Sequence, residues 1–159
     1  MLFRSDVWAV GDCAGSPYFT HIGEDDFRVV LDNLSGGSRV TTGRQVPFCL
    51  FTDPELARVG LSEREARERG VAYRLAKIPL DHVLRTRTLS ETRGFLKAVI
   101  EKGNDRILGF TALGVEAGEL LPAVQLAMAA GLPYTALRDT VLAHPTMAEG
   151  FGVLFSSVP

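Results

Sequence analysis

A stretch rich in glycine, serine and threonine, residues 35–43, divides the chain into two unequal segments. Such a composition between patterned segments is typical of a loop or linker. Before it, the sequence predicts only a short apolar strand over residues 7–10 and one helix over residues 20–34. A single strand and a single helix cannot cover both faces of a sheet. Residues 1–43 are therefore predicted to be the remnant of a larger α/β domain.

The second segment, residues 44–159, has the pattern of a self-sufficient α+β domain. Two β-prone runs at 95–100 and 106–113 flank the sequence Lys102-Gly103-Asn104-Asp105, which is typical of the turn in an antiparallel hairpin. The clearest helix pattern covers residues 116–130, where apolar residues recur at helical spacing. An antiparallel β-sheet covered by helices is the fold expected for this segment.

The remaining elements of this segment are shorter. Ser62 and Glu65 have the spacing of a capping box, in which the side chain of each residue pairs with the backbone N–H of the other. A helix is therefore expected to begin here and to end at Gly70. The other predicted elements are strands at 47–51 and 73–79, an extended piece at 58–61, and helices at 135–142 and 146–155.

Composition and charge exclude several classes of protein. The formal net charge of −2 argues against nucleic acid or an anionic membrane as the main partner. No apolar run has the length of a membrane span, and the first residues do not resemble a secretory signal. The two cysteines, Cys13 and Cys49, are too few for a disulfide framework and are not spaced for zinc. The two cysteines leave a disulfide between them as one alternative, and two reduced, buried thiols are the favoured one. We expect a cytoplasmic protein and no metal.

His144 and Glu149 can form a general acid–base pair. A carboxylate hydrogen-bonded to one ring nitrogen of a histidine fixes the tautomer and raises the basicity of the other nitrogen. Pro145 holds the histidine in extended or turn geometry. The same stretch also fits a simpler structure, because Thr146 and Glu149 have capping-box spacing ahead of an apolar run at 151–155. Taken alone, this short motif favours the cap, since capping boxes far outnumber catalytic pairs.

A second candidate site lies at the end of the first predicted strand. Gly11-Asp12 places a carboxylate just past that strand, where ligands of open α/β sheets bind. The helix that starts near Thr20 and His21 presents N–H groups and a positive dipole end, which can hold negative charge. The ordinary alternatives are a simple Gly-Asp turn and a surface or packing histidine, and for each piece alone these are the more common structures.

Several motifs that complete such sites are missing from the chain. No G-x-G-x-x-G follows a strand, there is no phosphate loop of the type G-x-x-x-x-G-K, and no C-x-x-C pair supplies a redox dithiol. A base without a nucleophile, and an aspartate at a strand end without a phosphate cradle, indicate parts of a larger site.

In their order along the chain, these features resemble the C-terminal portion of the flavin-dependent pyridine nucleotide–disulfide oxidoreductases. This family contains dihydrolipoamide dehydrogenase, glutathione reductase and mercuric reductase. VWAVGD at 7–12 is similar to its second flavin motif, and HPTMAE at 144–149 is similar to its acid–base motif. Its dimerisation domain is resembled by FTDPELARVG at 51–60, RGFLK at 93–97, RILG at 106–109 and GVEAGEL at 114–120.

The resemblance implies a cofactor role for the first segment. In that family, electrons pass from NAD(P)H through FAD to a disulfide. By resemblance, residues 1–43 are the remnant of the FAD-binding domain, and Asp12 binds the ribityl chain of FAD. Gly11, Thr20 and His21 are assigned to the same cofactor-binding site.

For the second segment, the resemblance implies both assembly and catalysis. Residues 44–159 are then the dimerisation domain of a homodimer. His144 is the catalytic base that moves a proton during thiol–disulfide interchange with a small-molecule or protein disulfide. Glu149 both orients the histidine and caps the following helix, so the resemblance reverses the preference for capping alone.

The chain also departs from the family pattern. It lacks the FAD phosphate loop, the redox cysteine pair and the NAD(P)-binding domain, so we expect a truncated or separately encoded piece that is inactive by itself. The alternative function for the isolated chain is a non-catalytic self-association module. Ser156 and Ser157 stand near the end of the chain instead of the paired cysteines of mercuric reductases, which argues against that activity. The sequence leaves open the substrate and the choice between NADH and NADPH.

Overall fold

The computed structural model describes residues 2–4 and 7–159, and residues 1, 5 and 6 of the first predicted segment lie outside the described part. Two units can be separated along the chain, Met1–Val46 and Pro47–Pro159. The smaller unit contains one long helix, and the larger unit contains a five-stranded sheet with several short helices.

In the smaller unit, a two-stranded antiparallel ribbon leads into the helix. Strand β1 (Leu2–Arg4), which the sequence pattern does not predict, pairs with strand β2 (Val7–Ala9). A 3-10 turn (Gly11–Ala14) follows, and Val10 is its N-cap, so β2 is one residue shorter than expected. Helix α1 (Thr20–Leu34) covers the residues that the apolar spacing predicts.

One face of α1 is buried and contains a charged residue. Ile22, Asp26 and Val29 are the buried residues of this helix, and their spacing places them on one side of it. Asp26 is 0% exposed, which is unusual for a carboxylate and requires partners on both of its oxygens. The helix ends before Gly36, whose φ of +85° is the left-handed conformation that commonly terminates helices.

The larger unit is built on an antiparallel sheet with the strand order β3-β4-β7-β6-β5. The expected hairpin is confirmed as the adjacent pair β6 and β7, and the expected extended piece at 58–61 belongs to a longer strand, β4. The strands are β3 (Phe48–Leu50), β4 (Leu56–Gly60), β5 (Tyr73–Pro79), β6 (Phe95–Glu101) and β7 (Ile107–Leu113).

Five helices accompany the sheet: α2 (Glu63–Glu68), α3 (Leu84–Thr88), α4 (Leu121–Ala129), α5 (Tyr134–Arg138) and α6 (Gly150–Ser156). The helix predicted over 116–130 is wrong at its start, where a 3-10 turn, Ala117–Leu120, precedes α4. Pro122 lies in the first turn of α4, and proline favours this position because it has no N–H to donate to a preceding turn. Across residues 2–4 and 7–159, no helix combines the length and apolar character that a membrane crossing requires.

The core lies between one face of the sheet and helices α4 and α6. Phe110 on β7 meets Phe151 on α6 edge to face, with ring centroids 5.9 Å apart. Gly150 lets α6 begin close to the sheet, since a Cβ there would lie 2.7 Å from the side chain of Leu96. Core packing therefore fixes the backbone immediately after Glu149.

The two cysteines are free thiols, but the expectation that both are buried is wrong. Cys13 is exposed and Cys49 is half-buried. The Cys49 thiol donates to Oε1 of Glu55 at 2.7 Å, and the same oxygen accepts the backbone N–H of Gly118 at 2.8 Å. Burial, together with the adjacent Glu55 carboxylate, raises the pKa of Cys49 to about 12. Cys49 is therefore a structural hydrogen-bond donor.

The capping box at the start of α2 predicts a pH-dependent contribution to stability. Ser62 donates to Glu65 from its hydroxyl and from its backbone N–H, and Arg58 pairs with the same carboxylate. The Ser62 hydrogen bonds and the Arg58 pairing outweigh burial and lower the pKa of Glu65 from 4.5 to about 2. Because the folded pKa lies below the unfolded pKa, this stabilisation is present above pH 4.5 and is lost as the pH falls towards 2.

Glu65→Gln should therefore lower the free energy of unfolding by about 1 kcal/mol at neutral pH, after allowance for solvent screening. The difference in the free energy of unfolding between the variant and the original protein should decrease as the pH falls from 4.5 towards 2. Urea unfolding at neutral pH and at about pH 3 measures it, with the exposed Glu68→Gln as the matched control. An equal deficit at both pH values would contradict this prediction.

The two thiols should differ strongly in reactivity. A pKa of about 12 leaves little thiolate on Cys49 near pH 8, and the thiolate is the nucleophile. Alkylation by iodoacetamide should therefore modify the exposed Cys13 first and Cys49 roughly a hundredfold or more slowly. Peptide mass spectrometry over time measures both rates, and Cys13→Ser should leave only the slow reaction. Equal rates at the two positions would show that the Glu55 contact does not protect Cys49.

Candidate functional site

His144 and Glu149 are joined by a hydrogen bond in the segment that leads into α6. Nδ1 of His144 lies 2.8 Å from Oε1 of Glu149. The other carboxylate oxygen, Oε2, accepts the backbone N–H of Thr146 at 2.8 Å, and Thr146 and Glu149 form a capping box. The hydrogen-bonded His–Glu pair and the cap, which the sequence presents as alternatives, are therefore both present, because each uses a different oxygen of one carboxylate.

The arrangement defines which nitrogen of the imidazole can accept a proton. An ionised carboxylate has no proton to donate, so Nδ1 must carry the hydrogen of this bond. Nε2 is then the basic nitrogen of the neutral ring. The His144 side chain is 63% exposed and that of Glu149 is 28% exposed. An exposed base is thus held by a more sheltered carboxylate.

Glu149 is suited to orient the histidine because it stays ionised. The backbone N–H of Thr146 and then the bond to His144 lower the pKa of Glu149 below its usual value. Its position is fixed from both sides, because Met147 is buried in the core and Gly150 packs against β6. The His144–Pro145 peptide bond is cis. This geometry supports general acid–base chemistry on a group presented to Nε2.

The second candidate site, in the smaller unit, is the 3-10 turn that carries Asp12. Gly11 begins the turn in the left-handed region with a φ of +68°. A Cβ on Gly11 would lie 3.6 Å from the Cα of Gly23, so the turn rests directly on α1. Asp12 is exposed, as are Thr20 and His21 in the first turn of α1. The expected cofactor-binding residues therefore belong to one turn and the helix start that follows it.

Asp26, which no sequence motif indicates as a functional residue, accepts hydrogen bonds from both ends of this turn. Its Oδ2 accepts the backbone N–H of Gly11 at 2.9 Å and the hydroxyl of Ser16 at 2.6 Å, and its Oδ1 accepts from Arg44 at 2.5 Å. Burial opposes ionisation, but the bonds from Ser16, Arg44 and Gly11 together lower the pKa of Asp26 to about 2. The only indication in the sequence is that Asp26 follows the apolar residue Ile22 by four positions, which places its carboxylate on the apolar face of the predicted helix.

The chemistry of the exposed Asp12 side chain limits which ligand groups this turn could bind. The exposed Asp12 carboxylate accepts hydrogen bonds, which suits hydroxyl groups and not a phosphate. The ring of His21 stacks on that of Phe19, with centroids 5.3 Å apart and planes 16° apart, so this histidine has a packing role. Among the described residues, no group of three or more His, Cys, Asp or Glu side chains could hold a metal ion.

Comparison with known protein families matches most of the chain. Residues 46–154 match the family model described as pyridine nucleotide-disulphide oxidoreductase, dimerisation domain. The matched segment contains both His144 and Glu149. It begins at the second of the two structural units, within one residue of Pro47.

Individual relatives agree with this match. The protein named probable pyridine nucleotide-disulfide oxidoreductase RclA, from Escherichia coli K12, is 42% identical over 155 residues, which are 96% of this chain and 35% of that protein. Mitochondrial dihydrolipoyl dehydrogenase from Homo sapiens is 33% identical over 146 residues, 92% of this chain and 29% of that protein. The chain thus spans about a third of the length of these curated relatives.

A solved structure shares the same fold. It is described as the HOCl-induced flavoprotein disulfide reductase RclA from Escherichia coli, and it superposes with a TM-score of 0.89 at 42% sequence identity. The superposition covers 94% of this chain and 35% of that chain. The antiparallel sheet covered by helices is therefore confirmed as the fold of the larger unit.

Proposed function

The chain belongs to the pyridine nucleotide-disulphide oxidoreductase family, and from this we propose that it is the C-terminal part of a flavin-dependent NAD(P)H:disulfide oxidoreductase. The observation that carries the proposal is the bond between His144 and Glu149, in which a cap-anchored carboxylate orients an exposed imidazole. A protein that only dimerised would have no need of an oriented base.

In this proposal, His144 is the catalytic base and acid. Nε2 takes the proton of a thiol, so that the resulting thiolate can attack a disulfide, and it later returns the proton to the leaving sulfur. Glu149 holds the ring in the tautomer that this exchange needs and stabilises the imidazolium between the two transfers. The thiols belong to a small-molecule or protein disulfide substrate and to a redox pair elsewhere in the protein.

The smaller unit supports a cofactor-binding role. FAD, when bound, would supply the electron transfer between NAD(P)H and the disulfide. We propose that Asp12 accepts hydrogen bonds from its ribityl chain, with Gly11, Thr20 and His21 forming the surrounding turn and helix start. Exposed apolar residues along α1 fit burial against further parts of an FAD-binding domain: Phe27, Leu31 and Leu34.

We also propose that the larger unit forms a homodimer through its helices. The sheet residues Phe110 and Ala112 lie in the core, so they do not provide the contact surface. Apolar side chains are instead exposed on α4 and the segments that follow it, where Leu126 is 72% exposed, Leu132 43% and Val141 97%. Exposed apolar residues on these consecutive segments fit a surface for association.

Replacement of His144 tests the catalytic role. In the protein at its full natural length, His144→Gln should slow thiol–disulfide interchange by roughly a hundredfold or more, the usual size of general acid–base catalysis. Glu149→Gln should slow the interchange less, because the imidazole of His144 is still present as the base. Stopped-flow measurement of the disulfide half-reaction gives the rates. His82→Gln, at another exposed histidine of the same unit, is the control, and an unchanged rate for His144→Gln would reduce the motif to a helix cap.

A charge introduced on α4 tests the dimer. The chain should sediment as a dimer at micromolar concentration, with an interface of more than roughly 2,000 Å² if the association is obligate. Leu126→Glu should weaken the dimer by about a hundredfold or more, because a charge would be buried without a partner. Lys102→Glu, in the β6–β7 turn, should leave it intact. A monomeric original chain, or an unchanged dimer for Leu126→Glu, would refute this interface.

A further inference from the structure

The carboxylate of Asp26 accepts hydrogen bonds from both ends of the turn that presents Asp12, an arrangement we call the Asp26 clamp. Gly11 opens the 3-10 turn and Ser16 follows shortly after its end, and both donate to the same oxygen of Asp26. Gly11 and Gly15 have φ values of +68° and +77°, which glycine adopts as readily as other conformations. Within the turn, the backbone N–H groups of Gly15 and Ser16 donate to the carbonyls of Asp12 and Gly11 at 3.1 Å and 3.3 Å. The bonds to Asp26 add a constraint from α1 at both ends of the turn.

The charge of Asp26 is balanced from a third segment of the same unit. Arg44 donates to Oδ1 of Asp26 at 2.5 Å, and its side chain is only 15% exposed. The same guanidinium lies 3.3 Å from Asp25, which has a closer partner in Arg39 at 2.6 Å. Arg44 is thus mainly the counter-ion of Asp26. A carboxylate that is fully buried is tolerated when it is paired and hydrogen-bonded in this way.

We propose that Asp26, with Arg44 as its counter-ion, is a positioning residue that holds the turn so that the Asp12 carboxylate is ready for the hydroxyl groups of a ribityl chain. This inference rests on the proposed function, because it takes FAD as the ligand. Asp26 cannot itself be the ligand, since it is 0% exposed and both of its oxygens accept hydrogen bonds. A turn that is already ordered binds more tightly, because less conformational freedom is lost on binding.

Binding measurements on the FAD-free protein at its full natural length can isolate this role. Asp26→Asn keeps the size of the side chain but removes its charge. FAD affinity, from the change in flavin fluorescence, should fall by about tenfold or more. Affinity for ADP, which has no ribityl chain, should stay within about twofold when measured by calorimetry. Unchanged FAD affinity would overturn the proposal, and so would an equal loss for FAD and ADP, because that indicates a general folding defect.

Two further variants keep the test decisive if Asp26→Asn does not fold. Ser16→Ala removes one donor to the carboxylate and should weaken FAD by about threefold or more, again with ADP unaffected. Asp25→Asn weakens the pairing with Arg39 and the longer contact to Arg44 but leaves the bonds to Asp26 in place, so it should leave both affinities unchanged. If Ser16→Ala has no effect, or if Asp25→Asn weakens FAD as much as Ser16→Ala does, the Asp26 clamp does not position the cofactor site.

A variant of Asp12 separates failure of this inference from failure of the proposed function. If Asp12→Ala leaves FAD affinity unchanged, the turn does not contact the cofactor and the proposed function fails at this site. If Asp12→Ala weakens FAD while Asp26→Asn and Ser16→Ala do not, the cofactor role stands and the positioning role is wrong. Loss of FAD affinity in all three variants, with ADP affinity retained, supports both.

Discussion

The two oxygens of Glu149 link the backbone of the fold to the candidate functional side chain, His144. One oxygen accepts the backbone N–H of Thr146 and so stabilises the start of the final helical segment, while the other receives Nδ1 of His144. The carboxylate is held by the backbone, and the backbone is held by the packing of Gly150 against Leu96. The orientation of the imidazole therefore depends on the hydrophobic core, although the ring itself is exposed to solvent.

The smaller unit uses a carboxylate in a similar way but at a different depth. Asp26 also accepts hydrogen bonds from a turn that presents an exposed carboxylate, and it does so from a fully buried position. Burial requires more partners, so Asp26 has three hydrogen bonds and the charge of Arg44. Glu149 is partly exposed, and one backbone N–H and one imidazole suffice. In both cases the side chain with the proposed function is exposed, and the carboxylate proposed to position it is less exposed.

Sequence patterns predicted those parts of the fold that depend on local interactions. The 20–34 helix, the β6–β7 hairpin and the Ser62 cap follow from apolar spacing, turn residues and cap residues, and the structure confirms them. Sequence patterns do not predict features that depend on contacts between residues distant in the chain. Asp26 looked like one more acid on a helix, because its partners Gly11 and Arg44 are far away in sequence. The exposure of Cys13 likewise depends on how its turn lies against α1, which no short motif records.

The two hydrogen bonds of the Glu149 carboxylate also determine where a proton taken up by His144 would reside. When Nε2 takes a proton, the ring becomes a cation beside Glu149, and the attraction between them increases. The hydrogen bond from Thr146 N–H draws charge from the same carboxylate, which keeps its pKa low and prevents the proton from passing on to Glu149. In the proposed mechanism, the proton therefore stays on the imidazole, from which it can be returned to a sulfur. The cap thus contributes to the proposed chemistry by keeping the carboxylate a poor base, as well as by fixing its position.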